Sequence, residues 1–558
     1  MCSEFAGKYI KEMSEQFDML GHSMDPSIYY QTDAEYYRKI TQLSFLKMFE
    51  KNLIYKKEHP VIWCPNCRTA LAQADVEYHE RRTKLNYIIF KTEEGENVEI
   101  ATTRPELLCT CQLIAVNPYD ESKQRLVDRK LIVPLYNKKV NVVADKKVDP
   151  QFGTGVVMIC TIGDKDDLEW VYKYGLPLEK GIDEDGKLTE LAGKYKGLSI
   201  VEGRKKIIED LKANGLFIKD EDLMQKVGCC WRCDTPVEFL SVPQWFIRTL
   251  DFKEQIKEFA SRVKWYPEYM KLRLENWVDN LMWDWCISRQ RYFATAIPVW
   301  ECEKCKKIVP AKEEQCYVDP TRDPPPIEKC PSCNGTLKGS EDVFDTWMDS
   351  SITQLYNVFW LRDERLFKKL HPMTLRPQSH DIIRTWAFYS LVRSMHLVNE
   401  IPWKEIMIAG FIMAPDGKPM HTSKGNVIDP LPLIEQYGAD AVRYYCTTAT
   451  IGEDTAFQIK EVVHGSKFVQ KYYNIQRFIS EVVSDEECKV QNLETFPVFD
   501  KWILSLYSTV VKNVTESLDV YRFDKAMKTI ENFIWHDFAD YYIEGIKNRK
   551  FQSETKYT

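Results

Sequence analysis

The chain has 558 residues and a net charge of −7, from 76 Lys plus Arg against 83 Asp plus Glu; 44% of its residues are hydrophobic, 28% charged and 13% aromatic. At ~150 residues per domain, that length suggests about three or four domains, and the composition excludes a mainly disordered chain. The acidic balance excludes a bulk basic signature for nucleic-acid binding but not a locally basic face, because net charge averages over all domains.

Residues 1–60 read as helical: Leu43, Leu46, Met48 and Leu53 interleave with Lys and Glu as far as Lys56-Lys57-Glu58-His59-Pro60. From about residue 85 the texture changes. Tyr87-Ile88-Ile89-Phe90, Leu131-Ile132-Val133-Pro134-Leu135 and Val140-Asn141-Val142-Val143 are short β-type runs separated by turn residues, and Gly153 to Ile159 is a further strand entered through glycines. The block of roughly 85–225 reads as a β-rich domain inserted into something else. Around Val242-Pro243-Gln244-Trp245-Phe246 the pattern returns to helix-rich α/β. Residues 301–340 form a small Cys/Pro/Lys-rich module containing Pro324-Pro325-Pro326. Beyond about 465 the chain is helical again, with Phe499, Trp502, Ile503, Leu506 and Tyr507 on one apolar face. No apolar run approaches bilayer-spanning length, and Met1-Cys2-Ser3-Glu4-Phe5 has no secretory pattern.

Seventeen cysteines include four Cys-x-x-Cys pairs, a metal-ligand spacing and not a disulfide framework, which fits a reducing, cytosolic compartment. Cys302/Cys305 and Cys330/Cys333 are close in sequence and predict one zinc ribbon, since two thiolates on one turn supply half a tetrahedral shell. Cys64/Cys67 and Cys230/Cys233 bracket the β block. If the insert folds out and returns, its stems are neighbours and these pairs share a second zinc. Cys109, Cys111, Cys160, Cys286, Cys446 and Cys488 read as ordinary buried cysteines.

Ala101-Thr102-Thr103-Arg104-Pro105-Glu106, followed by Val148-Asp149-Pro150-Gln151-Phe152-Gly153-Thr154-Gly155 and Gly163-Asp164-Lys165-Asp166-Asp167, resembles the editing domain of class I valyl-, isoleucyl- and leucyl-tRNA synthetases. Trp63-Cys64-Pro65-Asn66-Cys67 and Val242 to Phe246 are similar to that family's flanking segments. Cys286-Ile287-Ser288-Arg289-Gln290-Arg291 and Ile297-Pro298-Val299-Trp300 resemble its catalytic domain. Asp345-Thr346-Trp347-Met348-Asp349-Ser350-Ser351 and Arg376-Pro377-Gln378-Ser379-His380-Asp381-Ile382-Ile383-Arg384-Thr385-Trp386 are most like the valine enzymes, of archaeal type.

The resemblance implies an α/β class I nucleotide-binding fold, Rossmann-like, with an inserted β-rich editing domain, zinc-knuckle modules and a C-terminal helical domain. The boundaries it implies are a catalytic segment at 1–84, an editing domain at 85–227, catalytic domain at 228–464 with a zinc module at about 301–340, and the start of a helical anticodon-binding domain at 465–558. The implied reaction is ATP-dependent attachment of valine to tRNA(Val), with Mg2+, in the cytoplasm.

By the same resemblance, Trp347, Asp381 and Ile382 line the valine pocket, and His380, Met420, His421, Thr422, Ser423 and Lys424 serve ATP. Editing falls to Asp164, holding the substrate ammonium, with Thr102, Arg104 and Asp167 around it. Its physical motive is that a hydrophobic pocket rejects poorly an isostere that adds a hydroxyl, so threonine needs a second, hydrolytic check.

Several positions depart from the pattern. The first signature, His-x-Gly-His, is absent from the sequence, and Pro419 and Thr422 replace both lysines of the second. Ser379 replaces a glycine expected near the ATP ribose. Leu107, Met158 and Cys160 stand where bacterial members often carry Thr, Lys and Thr. The expectation is therefore a fragment or split half whose synthesis needs an N-terminal part, carried on a separate chain in the split case; the alternative is a noncatalytic tRNA-binding or scaffolding paralogue.

Overall fold

Helix Glu35–Glu50 stops where Asn52 takes a left-handed φ of 56°. Asn52 N donates to Phe49 O and Leu53 N to Met48 O, both at 3.0 Å, which closes the helix as a Schellman turn. Residues 54–60, read as helical from their sequence, instead open the strand Ile54–Cys64. That strand pairs antiparallel with Glu238–Ile247, from Ile54↔Ile247 to Trp63↔Glu238. A ladder to a segment nearly two hundred residues away overrides the local pattern.

The computed structural model describes residues 2–23, 25–161, 163, 165–420, 425–482 and 493–547. The chain divides into one unit of Arg38–Asp251 with Met282–Asp349 and another of Met1–Tyr37, Phe252–Leu281 and Ser350–Thr558.

In the first unit a seven-stranded mixed sheet carries the insert. Its order is Asn97–Thr102, Val76–Thr92, Lys130–Ile132, Lys139–Ala144, Cys111–Val116 and Val156–Cys160, with Phe217–Cys230 also paired to Val76–Thr92. Alternation sends Ile88, Phe90, Ile100 and Ile114 into one core, each fully buried. Val76–Thr92 and Phe217–Cys230 run together from Val76↔Cys230 to Ile88↔Phe217 as a two-stranded ribbon. Lys84 pairs with Asp220 at 2.9 Å across it, and Arg82 with Asp222. The Gly153-to-Ile159 run begins its strand only at Val156, because Gly153 and Gly155 both turn through positive φ. Farther along, Val299–Cys302 is the centre of a three-stranded antiparallel sheet with Ile308–Pro310 and Leu337–Gly339.

In the second unit Lys264–Tyr266, Trp403–Ala409 and Met373–Ser379 form a parallel sheet with Trp403–Ala409 central. Helix Phe388–Val398 connects Met373–Ser379 to Trp403–Ala409, which makes a βαβ unit. The helices Ile459–Val482, Val498–Leu518 and Phe523–Asn532 follow. Ile503 is buried on the expected apolar face, whereas Tyr507 is exposed. Among the described residues no helix is long and apolar enough to cross a membrane.

Candidate functional site

The insert gathers its chemistry around one turn. Thr102 ends the strand Asn97–Thr102, and its Oγ1 accepts the Arg104 backbone N–H at 3.0 Å. Arg104 then sends three donors in three directions: Nε to Glu106 Oε1 (3.0 Å), Nη1 to the Gly163 carbonyl (3.0 Å) and Nη2 to Glu238 Oε2 (2.7 Å). Glu106 is completely buried, and Arg204 grips it with Nε to Oε2 at 2.8 Å and Nη2 to Oε1 at 2.7 Å. Burial by itself would lower the Arg104 pKa and raise that of Glu106. The opposite charges prevail, so Arg104 is held above its ordinary value and Glu106 below. Glu238 is pushed up by its own burial, which Arg104 only partly offsets.

Asp167 lies on helix Lys165–Tyr174, 8% exposed. Its carboxylate covers Gly163: a Cβ added there would sit 2.1 Å from Asp167 Oδ2 and 3.3 Å from Leu107 Cδ1. A side chain at Gly163 would displace the Asp167 carboxylate. The structure thus brings Thr102, Arg104 and Asp167 to the Gly163 turn, with buried Leu107 beside it. Met158 and Cys160 are buried on the neighbouring strand Val156–Cys160. Asp164 lies outside the described residues. Sequence reading assigned no role to Glu106, Arg204 or Glu238. Glu106 stood inside the quoted motif, but Arg204, in Arg204-Lys205-Lys206, and Glu238 carry no signal a single sequence would show.

The eight paired cysteines form two sets, Cys64/Cys67/Cys230/Cys233 and Cys302/Cys305/Cys330/Cys333, the sulfurs of each lying within 4.8 Å of one another. In the first set Cys64 and Cys233 Sγ are 3.4 Å apart, and Cys67 and Cys233 3.6 Å. In the second, Cys302 and Cys333 are 3.4 Å apart and Cys305 and Cys330 3.5 Å. Four thiolates at ~2.3 Å from one zinc ion lie about 3.8 Å from each other, so both sets fit a tetrahedral ion with little movement. These separations are too long for disulfides. Backbone N–H groups support the sulfurs, Cys67 N to Cys64 Sγ at 3.3 Å and Cys305 N to Cys302 Sγ at 3.5 Å. The Cys305 N–H is the main cause holding the Cys302 thiol down at about 6. Gly335 leaves the second set room, since a Cβ there would lie 2.9 Å from Cys302 Sγ.

Ligands of parallel α/β sheets bind at the carboxyl ends of the strands. His380, Asp381 and Ile382 occupy that position after Met373–Ser379. The His380 ring is held between Arg273 Nη1, 3.1 Å from Nδ1, and Asp454 Oδ1, 2.6 Å from Nε2. Asp381 is exposed and accepts the Ser379 hydroxyl. Met420 packs against Ala441, Val442, Tyr445 and Phe457. His421, Thr422, Ser423 and Lys424 lie outside the described residues. Trp347, in the other unit, is half-buried on helix Thr346–Ser350, its backbone N–H donating to Asp345 Oδ1 at 3.2 Å. Asp345 is fixed in turn by Arg289 at 3.0 Å, which also holds Asp75 at 2.8 Å.

One unit carries a nucleotide-type sheet edge, and the other a β-rich insert and two cysteine sets. The chain belongs to the class I tRNA synthetases (I, L, M and V), whose domain matches residues 1–458, and residues 500–558 match the anticodon-binding domain of tRNA ligase. Within that class its similarity is to the valine enzymes. It is 46% identical over 555 residues to the valine–tRNA ligase of Methanocaldococcus jannaschii and 47% to that of Methanothermobacter thermautotrophicus, over 99% of this chain. The chain spans 63% and 62% of the lengths of those two relatives. The fold is shared with a LeuRS from Agrobacterium radiobacter K84 in ternary complex with tRNA and LeuAMS (TM-score 0.53, 18% identity, 95% of this chain and 72% of that one). It is shared equally with Mycobacterium tuberculosis methionyl-tRNA synthetase in complex with methionyl-adenylate (TM-score 0.53, 14% identity, 97% and 71%).

Proposed function

We propose that this chain carries the core of a valine–tRNA ligase, with ATP, valine and tRNA(Val) as substrates, and that its insert hydrolyses threonyl-tRNA. The observation that carries the reading is identity of 46–47% to valine–tRNA ligases along 99% of the chain. Ile382 supplies an apolar wall for the amino acid, Asp381 a carboxylate for its ammonium, and His380 a clamped imidazole at the sheet edge. Met420, His421, Thr422, Ser423 and Lys424 serve ATP. Zinc held by Cys64, Cys67, Cys230 and Cys233 and by Cys302, Cys305, Cys330 and Cys333 would supply cross-links that tie chain segments together, not a reacting centre.

For hydrolysis, Asp164 pairs with the ammonium of the esterified amino acid. Asp167 and Thr102 complete the polar side of the site, while Leu107, Met158 and Cys160 form its apolar side. A water oxygen attacks the ester carbonyl, the bond to the tRNA ribose breaks, and the ribose oxygen takes a proton. Among the described residues around the Gly163 turn no nucleophilic triad is formed, so positioning of substrate and water is what the site contributes. Arg104, with its Nε and both terminal nitrogens engaged, acts by holding that turn.

The test is deacylation by the isolated chain at saturating protein, which separates weak tRNA binding from absent chemistry. Threonyl-tRNA should be hydrolysed faster than valyl-tRNA, and Asp164→Ala should abolish the difference. If threonyl-tRNA is as stable with the protein as in buffer, the hydrolytic reading fails. The replaced signature lysines, at Pro419 and Thr422, then favour a noncatalytic tRNA-binding paralogue.

A further inference from the structure

The charge cluster under the Gly163 turn contains a residue that no motif singles out. Arg204 sits on helix Ile200–Ala213, whose start is fixed by reciprocal bonds between Ser199 and Glu202 and whose inner face buries Ile207 and Leu211 completely. Its side chain is 36% exposed, the outermost of the four charged groups, yet it grips the fully buried Glu106 with two donors. Two guanidiniums and two carboxylates balance. Arg104 is therefore shared between Glu106 on one side and Glu238 on the other, with its third donor left for the Gly163 carbonyl.

We propose that Arg204 is a positioning residue of the hydrolytic site: by sharing Glu106, it leaves Arg104 aimed at Gly163, the turn that enters the helix carrying Asp167. This rests on the hydrolytic reading above. Without Arg204, Glu106 has one cation in place of two and draws the Arg104 guanidinium toward itself. The Gly163 carbonyl then loses its donor, and Asp167, whose carboxylate lies over Gly163, shifts with the turn. Such displacements remove rate more than binding, because a misplacement of about 1 Å costs up to ~10²-fold.

Deacylation of threonyl-tRNA by the full chain tests this. Arg204→Met should lower kcat about 10- to 100-fold while KM changes less than about threefold. Arg204→Lys keeps a cation on Glu106 without the two-pronged geometry and should recover part of the loss. The pH profile distinguishes positioning from simple loss of stability. The charged groups facing Glu106 are Arg104 and Arg204, with Glu238 the next acid. In Arg204→Met, Glu106 therefore takes up a proton at higher pH, and the rate should fall more steeply than that of the unaltered chain as pH drops from about 7 to 5. Arg204→Gln replaces the Met variant if the latter melts early. If the Met or Gln variant matches the unaltered chain in kcat and pH profile while Asp164→Ala abolishes hydrolysis, the role of Arg204 is overturned and the hydrolytic reading stands. If the unaltered chain itself does not hydrolyse threonyl-tRNA, both fall.

Discussion

Asp145 shows how one carboxylate can place a helix. It is 2% exposed, and its Oδ2 accepts Trp170 Nε1 at 3.0 Å, Lys173 Nζ at 2.7 Å and Tyr174 OH at 2.9 Å. All three donors come from the last two turns of helix Lys165–Tyr174, whose first turn carries Asp167. The Lys147 backbone N–H occupies Oδ1 at 3.0 Å. Burial pushes the Asp145 carboxyl up, but Lys173 and these hydrogen bonds outweigh it, so it is held below its ordinary value of 3.8. A folded-state value below the unfolded one contributes stability that is present above pH 3.8 and is lost as pH falls from there through the lower folded-state value. Asp145→Asn should cost about 1–3 kcal/mol at neutral pH, because it weakens buried charge-assisted bonds. It should also flatten the acid-side decline in melting temperature. Thermal melts from pH 7 to about 3 check both, and an unchanged acid slope counts against this assignment.

At the scale of the element, the four cysteine turns share a feature beyond their spacing. The residue after each second cysteine is left-handed: Arg68 at φ 53°, Asp234 at 57°, Lys306 at 63° and Asn334 at 57°. Three of these turns close with the same bond, from the N–H of Asp234, Lys306 or Asn334 to the carbonyl of Cys230, Cys302 or Cys330, each at 2.9 Å. A left-handed residue with a Cβ costs roughly 1–2 kcal/mol, less for Asn, and such a conformation persists when its surroundings over-determine it. A shared metal ion would do so. Lys306→Gly relieves that strain but gives the unfolded chain about 0.4–1 kcal/mol more entropy to lose, so a net gain near 0.5 kcal/mol is expected in the metal-loaded protein. Elemental analysis of freshly purified, reduced protein should find one zinc per cysteine set. No zinc at all would remove the metal reading, and a Lys306→Gly variant less stable than the parent would remove the strain argument.

For the molecule as a whole, the two proposed activities have different requirements and can be separated by assay. Amino-acid activation places developing charge on phosphates, which needs positioned cations and imidazoles. The 558 residues contain no His-x-Gly-His, and the two signature lysine positions are Pro419 and Thr422. Lys418 is largely exposed and lies 3.3 Å from Asp416, which offsets its charge. Since losing a single such donor costs roughly 10²–10³-fold in rate, valine-dependent pyrophosphate exchange by this chain alone should fall at least that far below that of the Methanocaldococcus jannaschii ligase run alongside. Comparable exchange would refute it. Deacylation draws on none of these groups, so the same preparation is expected to lack the first activity and retain the second.

The sequence by itself determined the ordered motifs, and through them the class, the inserted β domain and the two cysteine sets. Such features depend on residue type at fixed spacing: a Cys-x-x-Cys pair must put two thiols on one turn, and alternating apolar residues such as Ile88 and Phe90 must face one side of a strand. What it could not determine was anything set by partners distant in the chain. The strand at 54–60 reads as helix until Glu238–Ile247 is there to pair with it. Glu106 has no legible role until folding buries it between Arg104 and Arg204, ninety-eight residues downstream of it. Burial and charge pairing act through space, and the energy that makes a buried carboxylate hold two guanidiniums arises only once the chain has excluded water from around it.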